Sequence, residues 1–340
     1  MREPWHSILA ESPETDLDPF PSSAQLAVAA HEGGLLAPLP EIGVLHVAGD
    51  DASAFLHNQL TQSITDIQAH ETRLAAWCNP KGRTRALVRV VPSDTGLLLI
   101  ANAEVLEAIQ PTLQMFIFRS RVALTSLSDR EGLMGMAGPV AANLLTETVG
   151  TLPATAGHLL RAGDLHVIAL ASESTQRYLV LAPADQLSAL WQRYKTALSR
   201  ADSQFWQLLN IQAGLPEVSL QTQEMFIPTM LNLEPLGGIH YEKGCYPGQE
   251  VVARMHYLGK LKRRMYRAAI AAEPPAPGTA VNDSKGAEAG QVVTAAPASD
   301  NGSELLVVCR IEKAAQDTLN IDGHALEFLD LPYPPPGDSG

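Results

Sequence analysis

The residue types best suited to chemistry gather in one stretch, GGIHYEKGCYPGQEVVAR (Gly237–Arg254). Cys245 sits between Gly244 and Tyr246, and Pro247-Gly248 fits the central positions of a type II turn. Glu250 and Arg254 stand at i and i+4, so a helix is expected to start near Gln249. Cys245 then lies on a tight loop just ahead of a helix N-terminus and beside Lys243. Helix dipole and ammonium would both favour the thiolate. An accessible, ionised sulfur suits nucleophilic, redox or metal-delivery chemistry; the plain alternative is a buried thiol packed as a small hydrophobe. His240 and His256 bracket the cysteine, but their spacing matches no closed zinc or cluster pattern, and no metal site is expected.

Two basic islands stand out in an acidic chain. Lys81, Arg83, Arg85 and Arg89 alternate with small or apolar residues, so on a strand they share one face. Lys243, Arg254, Lys260, Lys262, Arg263, Arg264 and Arg267 form the second, opposed only by Glu250. Each reads as a local anion site or as a solvated face balanced by acids elsewhere. A polyglutamate tail, a phosphate or an RNA backbone are the candidate anions.

The elements that must position these groups follow from periodicity. Residues 1–40 read as a flexible lead-in broken by Pro4, Pro13, Pro19, Pro21, Pro38 and Pro40, with a turn or two of helix at Gln25–Ala30. A first α/β part is expected over 41–135 and a second over 136–272, ending in the cysteine motif. The first opens with a strand from Ile42 and a helix after Gly49-Asp50-Asp51. Strands follow at Ala86–Val91 and Leu97–Ala101, then a helical pattern over Glu104–Phe118 that Pro111 should kink or split. Further strands are expected at Arg121–Leu127, Leu133–Ala137, Leu165–Leu170 and Tyr178–Leu181, and helices at Asp185–Leu198 and Asp202–Gln212. The proline-rich stretch 273–278 marks a linker to a small β module over 273–331, and 332–340 should be disordered.

Composition bounds the rest. The 340 residues carry 24 Lys+Arg against 37 Asp+Glu, a net charge of −13 that argues against broad binding of duplex DNA. With 46% hydrophobic and 18% charged residues the chain is a folded one. Cys78, Cys245 and Cys309 are odd in number and far apart, which excludes a disulfide framework. The N-terminus resembles neither a secretory signal nor a transit peptide, and no window reaches the apolar length of a membrane span. A cytoplasmic protein is expected.

The segment FIPTMLNLEPLGGIHYEKGCYPGQEVVAR resembles the signature of the YgfZ folate-binding proteins, relatives of the glycine-cleavage T-protein, an aminomethyltransferase. The match runs over Lys243, Gly244, Cys245, Tyr246, Gly248, Gln249 and Glu250, and on through Arg254, Gly259, Lys262 and Arg263. WCNPKGR (Trp77–Arg83) resembles a second family stretch with Asn79 in place of the usual aspartate. FWQLLNIQAGLP (Phe205–Pro216) resembles the helix that carries a folate-associated tryptophan, here Trp206. Two departures stand against full activity: the family enzymes' catalytic acid pair is replaced by Ala86 and Leu87, and Ile42 stands where some members have a second tryptophan.

The resemblance implies an α+β fold: a T-protein-like two-part α/β core with antiparallel sheets plus a small C-terminal β-barrel. It implies a tetrahydrofolate-binding accessory protein for iron–sulfur enzymes, including tRNA-modifying ones. Cys245 would be the working thiol, activated by Lys243, with Gln249 and Glu250 as hydrogen-bonding framework and Gly244, Tyr246 and Gly248 shaping the backbone. Trp206 would stack on the pterin, and the glutamate tail would lie along Arg254 or the face of Lys81 and Arg83 through Arg89. Glu217, Glu224 or Glu234 would grip the pterin edge. Folate, iron–sulfur enzymes and their assembly proteins are the expected partners. The alternatives are a folate-dependent aminomethyl- or methyltransferase, against which the missing acids count, and a tRNA-binding module, for which a 5% aromatic content offers few stacking platforms.

Overall fold

Short, almost wholly buried strands separated by turns dictate sheets whose two faces are both covered. The computed structural model describes residues 2–10, 21–172, 175–257, 261–299 and 301–335. Gly259 and Lys260, Pro13 and Pro19 of the lead-in, and residues 336–340 of the expected disordered tail lie outside the described residues.

Five strands form an antiparallel sheet in the order Arg73–Cys78, Thr84–Ser93, Gly96–Asn102, Ile42–Ala48, Ala123–Ser126. A six-stranded sheet runs Ser199–Arg200, Leu35–Pro38, Glu131–Ala137, Arg177–Pro183, Leu165–Leu170, Leu159–Ala162. All its pairs are antiparallel except that between Leu35–Pro38 and Ser199–Arg200. The inner faces of the two sheets share one core, with Val44, Leu87 and Leu98 from one and Leu35, Leu133 and Leu181 from the other. Helices cover the outer faces: Ala52–His57 and Ala103–Gln114 on the first sheet, Trp5–Ala10, Pro139–Val149 and Ala184–Tyr194 on the second.

The third sheet is the C-terminal barrel, in the order His324–Ala325, Asn320–Ile321, Ala280–Asn282, Glu288–Ser299, Gly302–Arg310, Arg263–Ile270, Glu327–Leu329. Its Val293, Ala296, Leu306 and Val308 join the central core, and the helix Ser203–Gln212 packs on it. The fold is therefore the expected α+β one, two α/β parts and a barrel.

Three boundaries move. The lead-in is structured: Ser22 and Gln25 close a capping box on the helix Ser23–Glu32, and Leu35–Pro38 is an internal strand of the six-stranded sheet. Pro38 is tolerated because it ends its strand. The second α/β part is thus discontinuous, since the strand Glu131–Ala137, which a boundary at 135 would cut, pairs with Leu35–Pro38. The stretch 273–278 is a connection inside the barrel: Arg263–Ile270, ahead of it, pairs with Gly302–Arg310. Pro111 neither splits its helix nor starts a second one; the helix ends at Gln114. Among the described residues no helix is long and apolar enough to cross a membrane.

Candidate functional site

The cysteine loop forms as its residue types demand. The amide of Gln249 donates to the Tyr246 carbonyl at 3.2 Å, closing the turn, and Gly248 takes the φ of +81° that a type II turn requires. The helix Gln249–Tyr257 follows at once. Gly248 also abuts the WCNPKGR segment: a Cβ there would fall 2.6 Å from both the Asn79 carbonyl oxygen and the Gly82 Cα. Asn79 turns that segment by accepting the amides of Lys81 and Arg83 at 2.9 and 3.0 Å. The two motifs, far apart in sequence, lock backbone to backbone.

Cys245 is exposed, whereas Cys78 and Cys309 are buried and their thiols are pushed up to about 12, chiefly by burial. Lys243 is buried, and its ammonium donates to the carbonyls of His57 and Leu60, the latter at 2.6 Å. It also lies 4.8 Å from the Tyr246 ring centroid. Burial lowers the Lys243 ammonium to about 8, opposed by the charge of Cys245. Lys243 therefore fastens the loop to the end of the helix Ala52–His57, a positioning role. Gln249 is half-buried, while Glu250 and Arg254 are exposed.

A cavity of about 420 Å³ opens between the two sheets and the barrel. Ile42, Leu87, Leu179 and Trp206 give it apolar walls; Glu41, Asn102, Glu217 and Arg89 are among its polar groups. Asn102 Nδ2 donates to Glu217 at 3.0 Å while its Oδ1 caps the helix Ala103–Gln114. Burial raises the Glu217 carboxyl, and burial with the Glu217 charge raises Glu41 to about 7. Trp206 lies against the backbone at Gly135, where a Cβ would meet its ring atoms at 2.4–2.6 Å, and 5.3 Å from the Arg177 guanidinium.

The structure separates what the sequence grouped. Trp206 lines the cavity; Cys245, Lys243, Gln249, Glu250, Arg254, Lys81 and Arg83 do not. Arg83 donates to the Met225 carbonyl, and Arg85 pairs with Glu224 at 2.6 Å. Only Arg89 of that island reaches the cavity. The second island disperses too, with Arg267 paired to Glu304 at 2.7 Å. Of the three candidate acids Glu217 is in place, while Glu234 is held by His256 and Tyr241. Glu41 and Asn102 went unnoticed in the sequence, Glu41 because a single acid after Pro40 carries no periodic signal.

Residues 262–332 match the family model for the CAF17 C-terminal beta-barrel domain. A tRNA-modifying protein YgfZ from Edwardsiella ictaluri is 31% identical over 252 residues, covering 73% of this chain and 74% of the relative. Its namesake in Yersinia pseudotuberculosis is 30% identical over 321 residues, 92% of this chain and 97% of the relative. In fold, the chain resembles the glycine cleavage system aminomethyltransferase T from Bartonella henselae, with a TM-score of 0.75 and 15% identity over 91% of this chain and 89% of that one.

Proposed function

The chain belongs to the YgfZ family, and from that premise we propose that it binds a tetrahydrofolate in the central cavity and serves the maintenance of iron–sulfur enzymes, including tRNA-modifying ones. A reducing, cytoplasmic setting suits its three free thiols. The observation that carries the reading is the company Trp206 keeps: half-buried carboxylates at Glu41 and Glu217 share one largely apolar cavity with an indole. Its volume lies within the ordinary range of small-molecule sites, roughly 300–1,000 Å³.

The residues fit a flat heterocycle with a donor-rich edge. Glu217, oriented by Asn102, accepts from that edge; Trp206 and Leu179 give it an apolar bed; Ile42 and Leu87 keep water out. Arg89 holds negative charge at the far wall. Bound tetrahydrofolate would supply a one-carbon carrier. Cys245, exposed on its glycine-flanked loop, is the working thiol and meets client proteins from outside the cavity.

The test has two arms. In a direct titration, wild type should bind a reduced folate, and Glu217→Gln should bind it about tenfold more weakly, the cost of losing one charge-assisted hydrogen bond. In a strain lacking its own copy, Cys245→Ser should bind folate normally yet fail to restore an iron–sulfur enzyme activity. Rescue by Cys245→Ser equal to wild type would remove the thiol from the function.

One observation favours a second reading, folate-dependent aminomethyl transfer. Ala86 and Leu87 replace the expected acids, but Glu41, at about 7, places a carboxyl able to exchange a proton at neutral pH in the same cavity. One-carbon transfer by purified protein that disappears in Glu41→Gln would establish it.

A further inference from the structure

The helix that follows the cysteine, Gln249–Tyr257, buries a single side chain, Val252. With so narrow an apolar contact a helix of nine residues gains little from packing and needs other fastening. Its start is fixed where Gly248 abuts Gly82. Its far end carries His256 and Tyr257, both exposed, in a set of contacts that neither the cavity nor the Lys243 anchor accounts for.

His256 Nδ1 lies 2.9 Å from Glu234 Oε1, and the Tyr241 phenol donates to Oε2 of the same carboxylate at 3.1 Å. The two rings stack, with centroids 3.8 Å apart and an interplanar angle of 17°. Tyr257 meets both edge-on, at 4.7 Å from His256 and 6.0 Å from Tyr241. A carboxylate only accepts, so the imidazole proton sits on Nδ1. Burial, with the Glu234 charge adding to it, raises the Tyr241 phenol, which therefore stays a donor. Tyr241 precedes Cys245 by four residues and His256 follows it by eleven, so the stack joins the two ends of the cysteine segment.

Glu234 is itself held close to a fixed point. Two residues before it, fully buried Asn232 takes a φ of +54° and donates through Nδ2 to the Met265 carbonyl at 3.0 Å. Its Oδ1 accepts the Met265 amide at 3.4 Å, and Met265 lies on the barrel strand Arg263–Ile270. A continuous path thus runs from the barrel through Asn232 and Glu234 to both flanks of the thiol. We propose that Glu234 and His256 are positioning residues for Cys245. With Tyr241 they form a clasp that seats the helix Gln249–Tyr257 and fixes the loop from which the thiol meets its client protein. This rests on the reading of Cys245 as the working thiol and deepens it.

The experiment compares wild type, His256→Ala and His256→Asn as full chains, by amide hydrogen exchange and by rescue of a strain lacking its own copy. Asparagine places a donor nitrogen where Nδ1 stands. In His256→Ala, exchange over Gln249–Tyr257 should quicken about tenfold while the denaturant midpoint of the whole chain holds, because the helix opens locally. The same variant should restore iron–sulfur enzyme activity only in part, and His256→Asn should recover both the slow exchange and the rescue. Unchanged exchange in His256→Ala overturns the clasp and leaves the thiol reading intact. A lowered midpoint with faster exchange throughout the chain also overturns it, by making His256 a general support. Fast local exchange with full rescue overturns the positioning role. Rescue by Cys245→Ser in the same strain removes the thiol reading, and with it the purpose assigned to the clasp, whatever exchange shows.

Discussion

His57 holds both sides of the cysteine loop: its carbonyl accepts the Lys243 ammonium, and its imidazole Nε2 lies 3.8 Å from where a Cβ on Gly244 would stand. Nδ1 of the same ring accepts the Ile64 amide at 3.3 Å, which leaves the proton of the neutral ring on Nε2, turned to the loop. Burial, with the charge of Lys243 adding to it, lowers His57 from its ordinary 6.5. Helix end, lysine and cysteine loop act as one unit.

Lys243→Met should uncouple that unit. The carbonyls of His57 and Leu60 lose their donor, a cost of about 1–3 kcal/mol readable by denaturant unfolding. Removal of the ammonium should also raise the pKa of His57, which nuclear magnetic resonance would follow. An unmoved histidine would mean that the ammonium's charge does not reach it.

Thiol chemistry should be sharply selective. Native protein treated with iodoacetamide near pH 8 should take up one label, at Cys245, while denatured protein should take up three. Buried Cys78 and Cys309, raised to about 12, have almost no thiolate at that pH. Rapid native labelling at Cys78 would show that the strand Arg73–Cys78 opens.

Stability should depend on pH through Glu41. Its carboxyl titrates near 7 in the fold against 4.5 in the unfolded chain, so the native state binds the extra proton. Wild-type stability from this group is present below 4.5 and is lost as pH rises to about 7. Glu41→Gln should therefore match wild type in acid and exceed it at pH 8 by roughly 1–3 kcal/mol. The comparison is one of unfolding midpoints at pH 5 and pH 8; a constant difference would rule out the Glu41 charge as its cause.

Gly135→Ala should push Trp206 off its seat. The added methyl would lie 2.4–2.6 Å from three indole carbons, forcing a shift of ring or strand that costs about 1–3 kcal/mol. Tryptophan emission should shift, and folate affinity should fall with it. Unchanged emission would mean that the sheet yields instead.

Much of this was legible in the residues. The Pro-Gly turn, the helix at Gln249 and the exposed cysteine follow from local rules, and local geometry obeyed them. Trp206 could be picked out by the resemblance of its helix, though not its resting place on Gly135, which lies on a strand of the six-stranded sheet. Glu217 and Arg89 stood among the candidates with nothing along the chain to single them out, and Glu41 and Arg177 were illegible, for the same reason. Glu41, Glu217, Arg89 and Arg177 come from segments that meet only when the two sheets close, and spacing along a chain does not encode that meeting. Prolines misled twice, at Leu35–Pro38 and at 273–278, because a proline marks the end of an element without saying whether the sheet goes on.

Val293 and Thr294, from the barrel strand Glu288–Ser299, form part of the cavity wall, and Gln207 on the Trp206 helix bonds Thr294. A protein shortened ahead of Arg263 would thus keep every acid and the indole, yet present a trough open on one flank. Swapping barrels between relatives would alter the shape of the chamber even with the first 262 positions untouched.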